Sequence, residues 1–506
     1  LATPSRNADL EKFLREQVPD LASIDTKAMY EAAIKGQFGE DLSAAIHLYH
    51  MLLSRDPKDA SAWNNLGLAL TNQAQHDVAR KCHEKSLKLF EAEDNEHYRF
   101  GLGGYAMDSL YMDNVSRETV FSLHKGTGEI RGETIRKTPW PNQRTSNRKL
   151  RIGYCSWDFR EHSVAYFILP ILRNHDLSKF EVYCYSDAEP QDHVTAIVKQ
   201  HVTRFRPVHM MATEEWADLI RKDEIDILVD LSGHTAARQL DLFSWRCAPV
   251  QVTYIGYPET TGLDAMDYRI VDAVTDPPGA EEWATEALVR LPRCFLCYEP
   301  AEDAQIPIPP RPEGQPFTFG FFGGYNKVND FTLGMWADIL KAAPETMLLM
   351  KNFVFQDPDT RKLCADRLEK LGIPEDRFEL LGKVGKREHF EMYGRVDLAL
   401  DSFPYNGTTT TCEALWMGTP VLTLMGDSHR SRVSASLLSA AGYSYVITNT
   451  REEYIETAIA EVKMSRMVPG PAIRRRMQES MLMDAEAHTR TIEDIYRKMW
   501  KRWCDA

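Results

Sequence analysis

Between residues 149 and 450 the chain alternates short, continuously apolar stretches with amphipathic ones, and it runs through that alternation twice. In the first run Lys149–Cys155, Phe180–Tyr185, Ile225–Leu231, Val250–Ile255, Tyr268–Val271 and Leu288–Leu291 read as strands. Ser163–Arg173 and Glu214–Lys222 read as helices. Strands that are apolar throughout, rather than at every second position, belong in sheets covered on both faces. Such sheets are parallel and need helical crossovers. Six prolines between positions 300 and 316 interrupt the pattern. It restarts with Phe317–Phe322, Met347–Lys351, Phe378–Leu381, Val396–Leu400 and Val421–Leu424 as strands. Between them lie helices at Phe331–Ala342, Pro358–Leu371, Arg387–Tyr393, Thr410–Met417 and Ser431–Ala441. The pattern predicts two Rossmann-like α/β halves, 149–300 and 317–484, joined by a Pro-rich hinge at 301–316 and followed by a C-terminal helix, 485–506. Two such sheets face a cleft with their carboxyl ends, and ligands bind there with residues from both sides.

A chain of 506 residues is too long for one core, since single cores stop growing at about 250–300 residues. The remainder is helical and repetitive. Ala45, Tyr49, Leu52 and Pro57 recur thirty-four residues on as Ala79, His83, Ser86 and a helix end near Glu91, and Trp63-x-x-Leu66-Gly67 opens the second copy. This is similar to the tetratricopeptide pattern, in which small residues stand where paired helices cross. Repeats are expected at 26–59 and 60–93 within an all-α region, 1–125. Residues 1–25 and 94–125 would supply the capping helices, and 126–148 reads as a linker from its Gly, Thr and Pro content.

Composition excludes several function classes. With 60 basic against 74 acidic residues, the net charge of −14 argues against a nucleic-acid binder, which needs a basic footprint. No apolar run approaches the ~18 residues of a membrane-spanning helix, so no membrane partner is expected. Leu1-Ala2-Thr3-Pro4-Ser5-Arg6 has no signal-type apolar core, and the absence of an initial Met leaves room for further N-terminal material. Nine cysteines, with Cys294 and Cys297 as the one Cys-x-x-Cys, suit reduced thiols and a cytoplasmic setting better than a zinc site. No metal or other cofactor is expected, and Asp357-Pro358-Asp359 reads as a helix cap. GxxxxGK[ST] and GxSxG are absent. Gly101 to Ala106 matches G-x-G-x-x-A but does not follow a strand.

The most informative stretch is Asp401-Ser402-Phe403-Pro404-Tyr405-Asn406-Gly407-Thr408-Thr409-Thr410-Thr411-Cys412-Glu413. A buried strand ends, a turn follows, and four threonines open a helix. Uncapped N–H groups and the helix dipole make such a junction an anion site. Thr409 and Thr410 add hydroxyl donors, Gly407 admits a phosphate closely, and Glu413 faces ribose hydroxyls. A plain threonine N-cap would need one threonine, not four. Lys327, after Gly323-Gly324-Tyr325-Asn326, tops the first strand of the second half, where it can neutralise a departing diphosphate. Lys386 and His389 top another strand and suit ribose or base. In the first half His162 follows Ser156-Trp157-Asp158-Phe159-Arg160-Glu161 and is a candidate general base. His234, Gly256, Tyr257 and Pro258 top further strands and are expected to line the same cleft.

At these residues the chain resembles the nucleocytoplasmic protein O-glycosyltransferases. The matching stretches are the loop to His162 with Ser163-Val164, and Ile227-Leu228-Val229 through Gly233-His234-Thr235. They continue with Ala248-Pro249-Val250-Gln251-Val252 through Gly256-Tyr257-Pro258 to Thr260-Thr261-Gly262, Leu291 to Tyr298, and Asp401 to Gly418, with the repeats in front. The resemblance implies a GT-B fold, inverting and metal-independent transfer, and Ser/Thr hydroxyls of acceptor proteins held by the repeats. It implies that Lys327 stabilises the leaving diphosphate, that Thr409 and Thr410 bind it, and that Thr408 lies near the sugar. Lys386, His389 and Glu413 become the nucleoside contacts and His162 the active-site histidine. The Pro-rich segment stands where metazoan members carry an insert. Two branches differ in donor: O-GlcNAc transferases use UDP-GlcNAc, and SPINDLY proteins resemble them but use GDP-fucose. Gly-His-Thr and Phe-Leu-Cys-Tyr look SPINDLY-like; Lys386 and Asn406-Gly407 look like the UDP-GlcNAc branch. Thr408 departs from that branch's histidine, and Met392 replaces a basic residue beside the base. Lys386 in the nucleoside pocket favours UDP-GlcNAc. The competing reading is a repeat scaffold with a degenerate transferase half. The intact set Lys327, Thr409, Thr410 and His389 opposes it. A homodimer is compatible with the sequence.

Overall fold

The computed structural model describes residues 25–37, 41–90, 95–132, 140–464 and 470–506. An arm of six helices comes first among them: Thr26–Gln37, Leu42–Arg55, Ala60–Asn72, His76–Phe90, Asn95–Ser109 and Arg117–Gly132. The thirty-four-residue spacing has a packing cause. Ala45 and Ala79, and Tyr49 and His83, occupy equivalent buried positions on the second helix of each pair. Gly67 is small because the His83 ring lies against it, 2.7 Å from where a Cβ would stand. The capping segment expected at 1–25 lies almost wholly outside the described residues.

The linker expected at 126–148 is corrected at its start, because the sixth arm helix runs on to Gly132. Its glycines serve a close approach and not a chain break. A Cβ on Gly128 would stand 1.9 Å from the Gly262 carbonyl oxygen, so the helix docks there backbone to backbone. Of the linker's middle, 133–139 lies outside the described residues.

The first half is a seven-stranded sheet: β1 Leu150–Ser156, β2 Phe180–Ser186, β3 Arg204–Pro207, β4 Ile227–Asp230, β5 Val250–Thr253, β6 Tyr268–Asp272 and β7 Ala287–Leu291, ordered β3-β2-β1-β4-β5-β6-β7. The second has six strands: β8 Thr318–Phe321, β9 Met347–Lys351, β10 Phe378–Leu381, β11 Leu398–Leu400, β12 Val421–Leu424 and β13 Ile447–Thr448, ordered β10-β9-β8-β11-β12-β13. All their pairings are parallel. This is the GT-B arrangement, two doubly wound sheets behind a helical arm. In each sheet the strand order reverses beside the first strand, at β1/β4 and β8/β11, and crevices open at such switch points.

The C-terminal helix, Ala485–Asp505, crosses back to the first half. The His175 imidazole donates from Nδ1 to Glu493 (3.0 Å), and Trp500 donates to the Thr145 carbonyl (3.1 Å). The arm is anchored to both halves. Asp357, which caps the helix Pro358–Lys370, also accepts from Ser43 N–H (3.1 Å), and Gln73 donates to Thr360 (2.9 Å). No helix of the described residues is long and apolar enough to cross a membrane.

Candidate functional site

The candidate anion site is built around one carboxylate. Asp401 follows β11 and is 4% exposed. Its Oδ1 accepts from Gly407 N–H (2.7 Å) and Ser402 N–H (3.0 Å), and its Oδ2 from the Thr423 hydroxyl (2.7 Å). Burial raises its pKa, opposed by those donors and by Lys327. The carboxylate thus winds residues 401–407 into a tight turn that delivers the chain to the helix Thr409–Trp416. Thr408 sits at the N-cap but makes no side-chain capping bond, so it leaves the helix's first N–H groups uncapped. Thr408, Thr409 and Thr410 line the cleft, while Thr411 turns inward to Ser434 (3.0 Å). Gly407 needs a correction. Its N–H is spent on Asp401, and a Cβ there would stand 2.6 Å from the Thr410 hydroxyl. It closes the turn and does not line the cleft.

Lys327 enters from the loop after β8. Its Nζ donates to the Asn406 carbonyl (2.9 Å) and lies 4.1 Å from the Tyr405 ring centre, an attraction of cation and ring quadrupole. Burial pulls its pKa down to about 8, and Asp401 acts against that pull. Among the described residues the ammonium thus has one carbonyl partner, and it shares the cleft with the N-terminus of the threonine helix.

Around His389, the candidate nucleoside end, stands one residue that sequence reasoning missed. The Lys351 ammonium donates to His389 Nδ1 (2.6 Å), which places the ring proton on Nε2, facing Glu413 (3.2 Å). Phe322, Phe390 and Tyr393 surround the imidazole. Lys351 ends an apolar strand at its carboxyl edge, and that position was the available signal. Lys386 is placed otherwise than expected. It is 54% exposed and ion-paired with Glu161 across the cleft.

The first half supplies the opposite wall. The cleft, of about 340 Å³, is lined on this side by His162, Gly256 and Pro258 among others, and on the far side by Lys327, Tyr405 and the threonines. His162 is 43% exposed, with Nδ1 3.4 Å from Asp158. Val164 N–H donates to the same Nδ1 (3.3 Å), which leaves the ring proton on Nε2. Burial and Arg160 push its pKa down to about 4, while burial pushes Asp158 up to about 6. Gly256 is required here, since a Cβ would stand 1.8 Å from the Leu231 carbonyl oxygen.

His234 and Tyr257 are corrections. Both are buried behind the cleft wall, where they pack on His124 of the sixth arm helix. His234 meets the Thr261 carbonyl (3.1 Å) and Tyr257 meets His124 Nε2 (2.8 Å). They hold the arm in place and do not face ligand. Cys294 and Cys297 are buried and unpaired, as are the other cysteines except Cys504, which is unpaired and half-buried. Among the described residues one trio has metal-ligand spacing, Glu161, Asp192 and His193, and none of the three lines the cleft.

Comparison with known proteins gives one consistent picture. The family model "Glycosyl transferase family 41" matches residues 117–302 and 313–492. The probable UDP-N-acetylglucosamine–peptide N-acetylglucosaminyltransferase SPINDLY of Solanum lycopersicum is 38% identical over 405 residues, 78% of this chain and 43% of that protein. The corresponding protein SEC of Arabidopsis thaliana is 29% identical over 372 residues, 71% of this chain and 38% of that protein. This chain therefore spans about two fifths of the length of the curated relatives it matches. Among solved structures, a lysine-to-methionine mutant of the Thermobaculum terrenum O-GlcNAc transferase superposes with a TM-score of 0.88 at 32% identity, covering 97% of this chain and 93% of that one.

Proposed function

The chain belongs to glycosyl transferase family 41, and from that premise we propose that it is a protein O-glycosyltransferase. It transfers GlcNAc from UDP-GlcNAc to Ser and Thr hydroxyls of polypeptides presented by the arm, inverting the anomeric carbon without a metal. The observation that carries this reading is the pairing of Lys327 with the uncapped N-terminus of Thr409–Trp416 in one cleft. The donor diphosphate takes the N–H groups and hydroxyls of Thr409 and Thr410, with Thr408 toward the sugar. Lys327 meets the negative charge that grows on the leaving oxygen. Ammonium and helix dipole together supply the positive field that a metal supplies elsewhere. His389 and Glu413 take base and ribose. A reducing, cytoplasmic setting suits the nine unpaired thiols.

His162 faces the acceptor side. A pKa of about 4 makes it a weak base at neutral pH, and its Nε2–H suits orientation of a hydroxyl. His162→Ala is expected to lower kcat about tenfold and leave the nucleotide Kd unchanged. A loss of about 10²–10⁴, the usual weight of acid–base catalysis, would mark it as the base instead.

A second reading, a GDP-fucose donor, has one observation in its favour. Lys386, the residue pointing to UDP, is engaged by Glu161, and the cation beside His389 is Lys351. Calorimetric titration with UDP and with GDP decides between them. UDP is expected to bind at least about tenfold tighter, about 1.4 kcal/mol. The reverse order supports the fucosyl reading, and no binding of either supports a non-catalytic scaffold.

A further inference from the structure

The loop that carries Lys327 is held from behind by the arm, at three points. His76, on the fourth arm helix, donates from Nε2 to the Asn326 carbonyl (2.8 Å). The Tyr111 carbonyl accepts from Asn329 Nδ2 (3.2 Å), and Asp113 accepts from Phe331 N–H (3.1 Å). Lys327 lies inside the span so fixed. The arm also reaches the far partner of the lysine. The Tyr111 ring stacks on Tyr405, centroids 5.1 Å apart and planes 18° from parallel, and Tyr405 is the ring beneath Nζ. The Tyr111 hydroxyl meets the Asn326 side chain. Asn329, besides meeting Tyr111, donates to Phe403 (2.7 Å) and caps the following helix through Thr332 N–H (2.9 Å). The arm, the lysine loop and the turn of the anion site therefore share one network.

An arm that served only to tether polypeptides would not need contacts so concentrated. Stable docking is already supplied elsewhere, by Ser43 and Gln73 on the helix Pro358–Lys370 and by His124 on Tyr257. We infer that Tyr111, assisted by His76, is a positioning residue for transfer. It holds Tyr405 and the Lys327 loop so that the ammonium stays dry and aimed at the leaving diphosphate. This rests on the assignment of Lys327 proposed above. The energetic logic is that of preorganisation: a displacement of about 1 Å in a charge-stabilising group costs on the order of 10²-fold in rate.

The readout that separates positioning from mere stability is the alkaline limb of kcat/KM, which reports the free enzyme. Transfer needs the ammonium, so activity falls as pH rises through the Lys327 pKa, about 8 in the intact site. Asp401 after β11 is the charge that acts on Nζ. The Tyr405 phenol, at about 12 and acted on by Arg430, lies under it, and His162 and His429 line the same cleft. Tyr111 and His76 stand behind, on Tyr405 and on the Asn326 carbonyl. His76 is buried, and that burial lowers its pKa. Removing the Tyr111 ring deletes none of the charges. Its effect is to admit water, which weakens the desolvation that depresses the lysine and moves the limb upward.

The test uses Tyr111→Ala and Tyr111→Leu against Tyr111→Phe in the full chain, with thermal unfolding followed in parallel. Leu fills the space but cannot stack, so it serves where Ala fails to fold. The expected result for the folded non-aromatic variant is a kcat lowered about tenfold or more, an alkaline limb raised by about one unit, and a UDP Kd within about twofold of wild type. Phe keeps the ring and should restore both kcat and limb. A non-aromatic variant with wild-type kcat, or with a lowered kcat and an unmoved limb, overturns the inference. Lys327→Met run in the same assay separates the two levels. If it retains turnover, the lysine assignment itself falls; if it is inactive while the Tyr111 variants are normal, only the positioning role falls.

Discussion

Lys327→Met should leave a folded protein that still binds nucleoside diphosphate and has lost about 10³-fold or more in kcat. Among the described residues the ammonium has the Asn406 carbonyl and the Tyr405 ring as close partners. Its burial is unfavourable before donor arrives, as the depressed pKa records. An unbranched thioether of similar length removes that penalty, so the melting temperature should stay level or rise. If the threonine helix also holds the diphosphate in the ground state, as proposed, affinity should fall modestly, by about tenfold at most. The transition state differs because charge develops on the leaving oxygen, and an interaction that strengthens only there appears in kcat rather than in KM. Single-turnover transfer to a Ser/Thr peptide, with calorimetry on the same sample, reads both quantities. Turnover within about tenfold of wild type would remove Lys327 from the mechanism. The wild-type alkaline limb should vanish with it, since the titrating group is gone.

The parts of this site legible in sequence are those in which one local window contains the whole physical cause. An apolar strand, a turn and four threonines suffice to foresee a helix that starts uncapped at the cleft, because strand end, turn and threonines are neighbours in the chain. Lys327 was legible for the same reason, standing after the first strand of its half. What stayed hidden depends on partners distant in sequence. β3, Arg204–Pro207, is a half-exposed edge with two arginines, so it lacks the apolar run that reveals a central strand. Gly126-Thr127-Gly128 carries the composition of a break, yet it is helical, and Gly128 is glycine because Gly262 approaches from across the molecule. Tyr111 is separated from Tyr405 by 294 positions, and no local signal marks it as part of a lysine site. Lys386 was correctly placed at a strand-to-helix junction but not in its company, since Glu161 comes from the other half. Gly407 and Tyr257 show the converse error: residues inside a functional motif whose task is internal, one closing a turn and the other seating the arm.

That internal task makes Asp401 the second residue whose loss should be large, and through a different route. Asp401→Ala leaves three donors, Gly407 N–H, Ser402 N–H and the Thr423 hydroxyl, without their acceptor inside a closed turn. Each orphaned buried donor costs about 1–3 kcal/mol, so a loss on the order of 3–5 kcal/mol is expected, read as a lower denaturant midpoint. The turn is also what orients the threonine helix, so nucleotide binding should weaken in the same variant at temperatures where it remains folded. Asp401→Asn isolates the electrostatic share. An amide keeps an acceptor for Gly407 N–H and has nearly the same shape, but it carries no charge. The carboxylate is what holds the Lys327 pKa up against burial. Without it the lysine should release its proton at lower pH, and the alkaline limb of kcat/KM should move below its wild-type position near 8, opposite in sign to the shift expected when the Tyr111 ring is removed. An Asn variant with an unmoved limb would show that Asp401 does not act on the lysine through space. Its Ala variant could then be read wholly as a broken turn. The two shifts of opposite sign, one from charge and one from water, test whether the ammonium is governed by its surroundings in the way the geometry of this cleft requires.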